Sequence, residues 1–358
     1  MHQDLLEKLA KLCELPGPTG REEKVLEFVT EELSRFMDVS TDQVGNVVST
    51  LPGKQQHSWI ISAHADEIGY LIRSIEDDGF LRLAFNTGAE VPDTRFLPGQ
   101  QLKILTDTDN YVIGVVGLKS GHLAGKEGKK VLPKMSSLYL EIGANSAEEV
   151  KDDFGVAIGN PVVFDTRTRL LGKDDNFAYG KAMDDRSGLL VLLELAERLS
   201  EIPRSSRPTL RLVCTVQEEI GVKGVHSIAS YLRSEGVVSK VVCVDVGPVG
   251  DTPGTAKLAT PHLNKGPIIV VKDSMMHYDR QLVLGLTRTA NKYDIPVQRC
   301  VYENYGSDAV GFFSSGGFPS SLVAIPCRYT HTPFEMISLR DLIATIELLS
   351  KFVSNKLW

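Results

Sequence analysis

Four apolar runs in this chain each lead into an acid or a histidine, and that pattern restricts the fold more than any other feature of the sequence. The run 59–63 leads into His64 and Asp66 (AHADEIG), TLRLVCTVQEE into Glu218 and Glu219, KVVCVDVG into Asp245, and SSLVAIPCRYTH into His331. Runs of this length and composition read as strands buried on both faces, as in an α/β sheet covered by helices. In open sheets of that kind the carboxyl ends of the strands line the crevice where ligands bind, so side chains distant in sequence converge there. Asp184 and Asp185, in KAMDDRSG, open a helical pattern over 184–199 and can aim into the same crevice.

Helical spacing recurs over 5–13, 21–36, 222–232, 280–293 and 338–355, with Thr19 or Gly20 near the cap of the second helix. The last few residues look like a short tail. Between about 70 and 161 the character changes to YLIRSI, FLRLAF, QLKILT, YVIGVVGL and SSLYLEIG, punctuated by DDG, NTG, PGQ, DTDN and GKEGKK. Short strands at regular spacing with turn signals predict a small antiparallel barrel or sandwich. A chain of 358 residues suits one large domain and one smaller one. The expected fold is therefore α/β, with a mixed-sheet domain at 1–69 and 163–358 carrying helices on both faces, interrupted by a small β-barrel-like inserted domain at 70–162.

A formal net charge of -7 gives no general attraction to phosphate backbones or anionic membranes, so neither nucleic acid nor membrane is an expected partner. Nothing approaches the roughly 20 apolar residues of a membrane span, and the amino-terminal segment lacks the basic start and apolar run of a secretory signal. Cys13, Cys214, Cys243, Cys300 and Cys327 form an odd set without CxxC spacing, mostly inside apolar runs. They read as reduced, buried thiols, which points to the cytoplasm.

Each charged element has an ordinary explanation when taken alone: HxD as a surface or capping pair, DDR as a helix cap, EE as solvated charge. Their joint placement after apolar runs favours a metal site, because capping or solubility would scatter them elsewhere. Zn2+ or Co2+ accepts imidazole nitrogen and carboxylate oxygen, and two such ions about 3.5–4 Å apart need a bridging carboxylate to offset their repulsion. Mn2+ is a further candidate for such a donor set. Three carboxylates and two histidines can supply the cage. A water shared by the ions has its pKa lowered toward neutrality, and a further carboxylate can take its proton. The adjacent Glu218 and Glu219 suit that division, one binding metal while the other faces the water. Asp66, two residues past His64 on an extended chain, can accept the second ring N–H and orient the imidazole.

The sequence resembles the tetrahedral aminopeptidases, which include bacterial glutamyl aminopeptidases and proteins once labelled endoglucanases. PGPTGREE, AHADEIG, PGQ, GVVGLKSGH, KAMDDRSG, VQEEIGVKG, VDVG, GSDA and YTHTPFE occur in the family's order along essentially the whole chain. The resemblance implies two divalent metal ions per chain, Zn2+ or Co2+ first. His64 and Asp245 would hold one, Glu219 and His331 the other, and Asp184 would bridge them, with Glu218 as general base and Asp66 as orienter. It also implies a cis peptide bond between Asp184 and Asp185, and a metal-bridging hydroxide attacking the N-terminal peptide bond of short peptides with a free N-terminus. The inserted segment would mediate assembly through dimers to a tetrahedral dodecamer, its open sheet edges offering contact to another chain.

Two rivals have different outcomes. A related carboxypeptidase or deacylase places its extra domain after the acidic ligand pair, whereas here the β-rich stretch falls between His64 and Asp184; a non-catalytic scaffold would have lost site residues that are all present. Glycosidase chemistry relies on a carboxylate pair without a metal cage. His2, His57, His122, His226, His262 and His277 show no ligand partners, and no role follows for Asp308 from its spacing. The segments 247–264 and 302–307 are candidates for shaping the substrate pocket, and side-chain preference does not follow from the sequence.

Overall fold

The structure is a computed structural model and describes residues 2–88, 91–128, 130–174 and 176–354. The expected helix end at Asn355, the tail-like last residues and the side chain of His2 lie outside the described residues. The strands are β1 Asp38–Thr41, β2 Val47–Leu51, β3 Ser58–His64, β4 Tyr70–Ile75, β5 Leu81–Phe85, β6 Gln101–Leu105, β7 Tyr111–Gly117, β8 Tyr139–Glu141, β9 Pro161–Phe164, β10 Arg169–Leu171, β11 Phe177–Gly180, β12 Thr209–Thr215, β13 Lys240–Pro248, β14 Ile268–Lys272, β15 Gln298–Val301, β16 Ser320–Arg328 and β17 Glu335–Ser338. The helices are α1 His2–Glu14, α2 Glu23–Ser34, α3 Gly121–Gly128, α4 Ala147–Asp152, α5 Met183–Ser200, α6 Lys223–Ser234, α7 Arg280–Lys292, α8 Ala309–Gly316 and α9 Leu339–Ser354.

Apolar runs of β-branched residues make the central strands, and these pair in the order β12-β3-β13-β16, all parallel. Antiparallel β2 and β17 flank them, so the sheet is mixed and extends to eleven strands among the described residues. Helix α5 is buried along most of its length and packs against β3, β13, α1 and α9, while α6 and α8 pack together with α8 against β13 and β16. Trp59 of β3 meets Phe352 of α9 with ring centroids 4.9 Å apart, which fixes α9 over the middle of the sheet. The carboxyl ends of the four parallel strands consequently share one edge.

The β-rich stretch closes on itself in the order β4-β5-β8-β7-β6-β9, with β9 pairing back to β4. Its own core gathers Tyr70, Leu83, Leu102, Ile104, Leu140 and Phe164. Closure corrects one expectation: the barrel offers no open sheet edge for another chain among the described residues, because each of its strands is paired on both sides. Outward-facing positions of β7 carry apolar residues instead, with Tyr111, Ile113 and Val115 all exposed. The closing strand β9 also runs two residues beyond the expected boundary at 162. The GKEGKK stretch is not a simple turn, since α3 extends into it with a kink at Gly125 (φ 68°). No described helix is long and apolar enough to cross a membrane.

Candidate metal and active site

The crevice arises from how the central strands part. β3 pairs with β12 as far as His64 opposite Thr215, but with β13 only as far as Ser62 opposite Cys243. Beyond that point β13 continues along β16, with Asp245 opposite Ala324. Asp245 therefore lies inside its strand, and β13 does not end there as the sequence suggested. Likewise β12 stops at Thr215, and Glu218 and Glu219 follow a turn through Gln217 (φ 56°); β16 stops at Arg328, three residues before His331 (φ 61°). The expected side chains still converge. His64, Asp184, Glu218, Glu219, Asp245 and His331 line one cavity of about 240 Å3, together with Met275, Asn304, Tyr305 and Gly306 from neighbouring loops.

Asp184 stands between the two histidines. Its Oδ1 lies 3.0 Å from His64 Nε2 and its Oδ2 lies 3.3 Å from His331 Nε2. Glu219 Oε1 is 3.5 Å from His331 Nε2 and, although buried, has no hydrogen-bond partner. Asp184 and Asp185 fall within α5 but have non-helical backbone angles, and the peptide bond between them is cis, as the resemblance implied. Among the described residues two groups could hold a metal, His64 with Asp184 and Glu219, and His64 with Asp185 and Asp245. Asp185 does not line the cavity, and its carboxylate already accepts the N–H groups of Gly188 (3.0 Å) and His64 (3.3 Å). Donors 2.0–2.2 Å from one tetrahedral ion sit about 3.3–3.6 Å apart, so the Asp184–His331 and Glu219–His331 separations each suit a pair of donors to one cation, although His331 falls in neither of the two groups. A bound cation would satisfy the buried Glu219 oxygen, which has no hydrogen bond.

Asp66 contacts more than His64. Its Oδ1 accepts the Glu218 N–H (2.9 Å), and its Oδ2 accepts the Glu219 N–H (3.1 Å) and the Thr19 hydroxyl (2.8 Å). His64 Nδ1 lies 3.1 Å from the Asp66 carbonyl oxygen and 3.4 Å from Oδ1, so the main chain is the nearer partner of the ring. Glu22 holds the preceding residue of the turn, accepting the Gln217 N–H at 3.1 Å.

Burial dominates the electrostatics. It pushes Glu218 well above the usual carboxylate range, reinforced by Glu219, Asp245 and Asp308 against the opposing effect of His64. Asp245 is raised for the same reason, with Asp184 and Asp185 adding to it. Burial would raise Asp184 too, but hydrogen bonds from His331 and His64 outweigh it and hold the group well below the ordinary value. Burial opposes charge on His64, yet Asp184 and Asp66 draw its pKa well up.

Sequence reasoning missed the groups that hold backbone. Glu335 in YTHTPFE accepts the N–H groups of Asp184 and His331, Glu22 in GREE braces the Glu218 turn, and Asp185, expected to aim into the crevice, instead ties β3 to α5. Glu67 meets Lys181 Nζ at 2.7 Å and Arg186 Nη2 at 3.4 Å in a fully buried cluster under the site. All lie inside the recognised motifs, which was the one signal available. Asp308 bonds the Thr215 hydroxyl through Oδ2, leaves Oδ1 buried without a hydrogen-bond partner, and is pushed up to about 6 by burial. Among the histidines with described side chains, His64 alone belongs to the metal-competent groups. Residues 304–306 line the cavity as expected, whereas Val249, Thr252 and Thr255 line a larger adjoining space of about 680 Å3 that also reaches His331.

An α/β sheet whose strand ends gather carboxylates and imidazoles, with a barrel between the first histidine and the paired aspartates, is an architecture shared with aminopeptidases of known structure. The aminopeptidase APDkam598 from Desulfurococcus kamchatkensis superposes with a TM-score of 0.89 at 32% identity, covering 99% of this chain and 95% of that one. The TET1 peptidase of Pyrococcus horikoshii, which can assemble into a tetrahedron or a large octahedral shell, does so with a TM-score of 0.84 at 28% identity, covering 98% and 99%. The lysyl aminopeptidase of Pyrococcus furiosus is 31% identical over 350 residues, 96% of this chain and 94% of that protein. The chain belongs to the M42 glutamyl aminopeptidase family, whose model matches residues 45–348, and it is a peptide hydrolase.

Proposed function

We propose that this chain is a dinuclear metal-dependent aminopeptidase that removes N-terminal residues from short peptides. In this reading His64 and Asp245 hold one ion, Glu219 and His331 hold the other, and Asp184 bridges. The observation that carries it is Asp184, whose two oxygens each face the imidazole of a different histidine, with an unpartnered Glu219 oxygen beside the second. When bound, two divalent ions would acidify a shared water into the attacking hydroxide and polarise the scissile carbonyl. Zn2+ and Co2+ suit these nitrogen and oxygen donors best, and Mn2+ is compatible.

Glu218 takes the proton from the attacking water and delivers it to the leaving amine. Glu218 lines the cavity beside Glu219 and belongs to neither metal-competent group, which leaves its carboxylate to serve as the base. Asp66 fixes the Glu218 and Glu219 main chain and orients His64. The free α-amine of the substrate would meet the carboxylates that line the cavity, and losing a charge-assisted contact of this kind costs about 1.5–3 kcal/mol. The inserted barrel, as a separate assembly domain at about 70–162, would mediate self-association through dimers to a tetrahedral dodecamer, in line with the assembly of the TET1 relative. The exposed apolar side chains of β7 support that role.

The deciding experiment follows matched free and N-acetylated peptides by mass spectrometry. The unblocked series should lose residues one at a time from the N-terminus, and acetylation should slow cleavage at least tenfold, the equivalent of about 1.4 kcal/mol. Equal rates, or internal cuts in capped peptides, would move a deacylase or endopeptidase to the front.

A further inference from the structure

Glu335 opens β17 and is 1% exposed. Its Oε2 accepts the main-chain N–H of Asp184 at 3.0 Å, and its Oε1 accepts that of His331 at 2.7 Å. One carboxylate thus fastens two residues from separate segments whose side chains face each other at 3.3 Å, His331 Nε2 to Asp184 Oδ2. Neither main chain rests in the conformation its neighbours would dictate. Asp184 (φ -80°, ψ 107°) departs from the path of α5, and His331 (φ 61°) occupies the left-handed region, where a residue with a side chain persists only if its surroundings over-determine it.

The anchor itself is firm. Glu335 pairs with Gly180 of β11 across an antiparallel ladder, and β17 pairs with β16 on its other side, so the carboxylate is carried by the sheet and not by a loop. We infer that Glu335 is a positioning residue that sets the spacing between Asp184 and His331 so that both can hold the same cation. The inference rests on the ligand set proposed above. It also explains the residue type, since both oxygens of this carboxyl group accept a main-chain N–H, whereas an amide presents one acceptor and one donor. Glutamine at this position would turn its NH2 toward one of the two N–H groups and release either Asp184 or His331. Shifting a group that orients a metal ligand typically weakens metal affinity by about 10–100-fold.

The test uses metal-stripped full-length protein. Wild type, Glu335→Gln and Glu335→Asp are titrated with Zn2+ against a chromogenic chelator, with visible spectra of the Co2+ forms and circular dichroism in parallel. Glu335→Gln should keep the wild-type dichroism, bind one ion about 10–100-fold more weakly, and shift its Co2+ spectrum. Glu335→Asp, which keeps the charge on a side chain one methylene shorter, should fall between the two. A residue with only a structural role would lower the unfolding temperature while leaving the Zn2+ affinity and the Co2+ spectrum unchanged. That result, in whichever variant folds, overturns the assignment. Asp184→Asn separates the two layers of inference. Wild-type metal content in that variant would sink the ligand set itself. Loss of metal there with wild-type binding in both Glu335 variants would sink only the role of Glu335.

Discussion

Glu218 and Glu219 are neighbours with different surroundings. Glu219 points a buried, unpartnered oxygen toward His331, while Glu218 has its proton affinity raised by burial and adjacent carboxylates. Replacing Glu218 with glutamine keeps size and hydrogen bonding but removes the base, so turnover should fall by about 10²–10⁴ while elemental analysis still finds wild-type metal content. Retained activity would mean that another group takes the proton. At this scale the sequence exposed the cavity-lining residues because carboxylates and histidines after apolar strands are unusual company. It concealed Glu335 and Glu22 because these act on main-chain N–H groups, and a contact with backbone leaves no complementary residue type to find.

Strands buried on both faces were legible from their apolar runs, but their ends were not. β12 and β16 stop short of the site residues because turns through Gln217 and His331, both at positive φ, swing the side chains back toward the crevice. Local hydrophobicity carries no record of that reversal. The barrel-like insertion was legible by alternation, whereas its short closing strand β9 was not, so open edges were expected where none remain among the described strands of the barrel. Contact between the barrels of two copies would then use side chains. Ile113 and Val115 point outward from β7 at 42% and 51% exposure, enough to tolerate a charge in an isolated chain. Ile113→Asp with Val115→Asp should therefore leave the unfolding temperature of the chain nearly unchanged and reduce the mass seen by light scattering. An unchanged mass would place the contact elsewhere.

Across the whole molecule, the carboxylates around the cavity sit in a chain that already carries a net charge of -7. Cations that bind only the folded site stabilise it by mass action, about 2.7 kcal/mol at a hundredfold excess over the dissociation constant. A strong chelator should accordingly lower the unfolding temperature by several degrees, and adding Zn2+ or Co2+ should restore it. An unfolding temperature indifferent to both treatments would count against the cage. The crevice also draws on both ends of the polypeptide: His64 precedes the barrel, whereas His331 arrives only after β16, just before the closing helix. On the ribosome a half-made chain therefore holds one of the two cavity histidines and not the other. With the proposed ligand set, hydrolytic power would come only with the final sheet strands, so a translation product cut short before β16 should be inert.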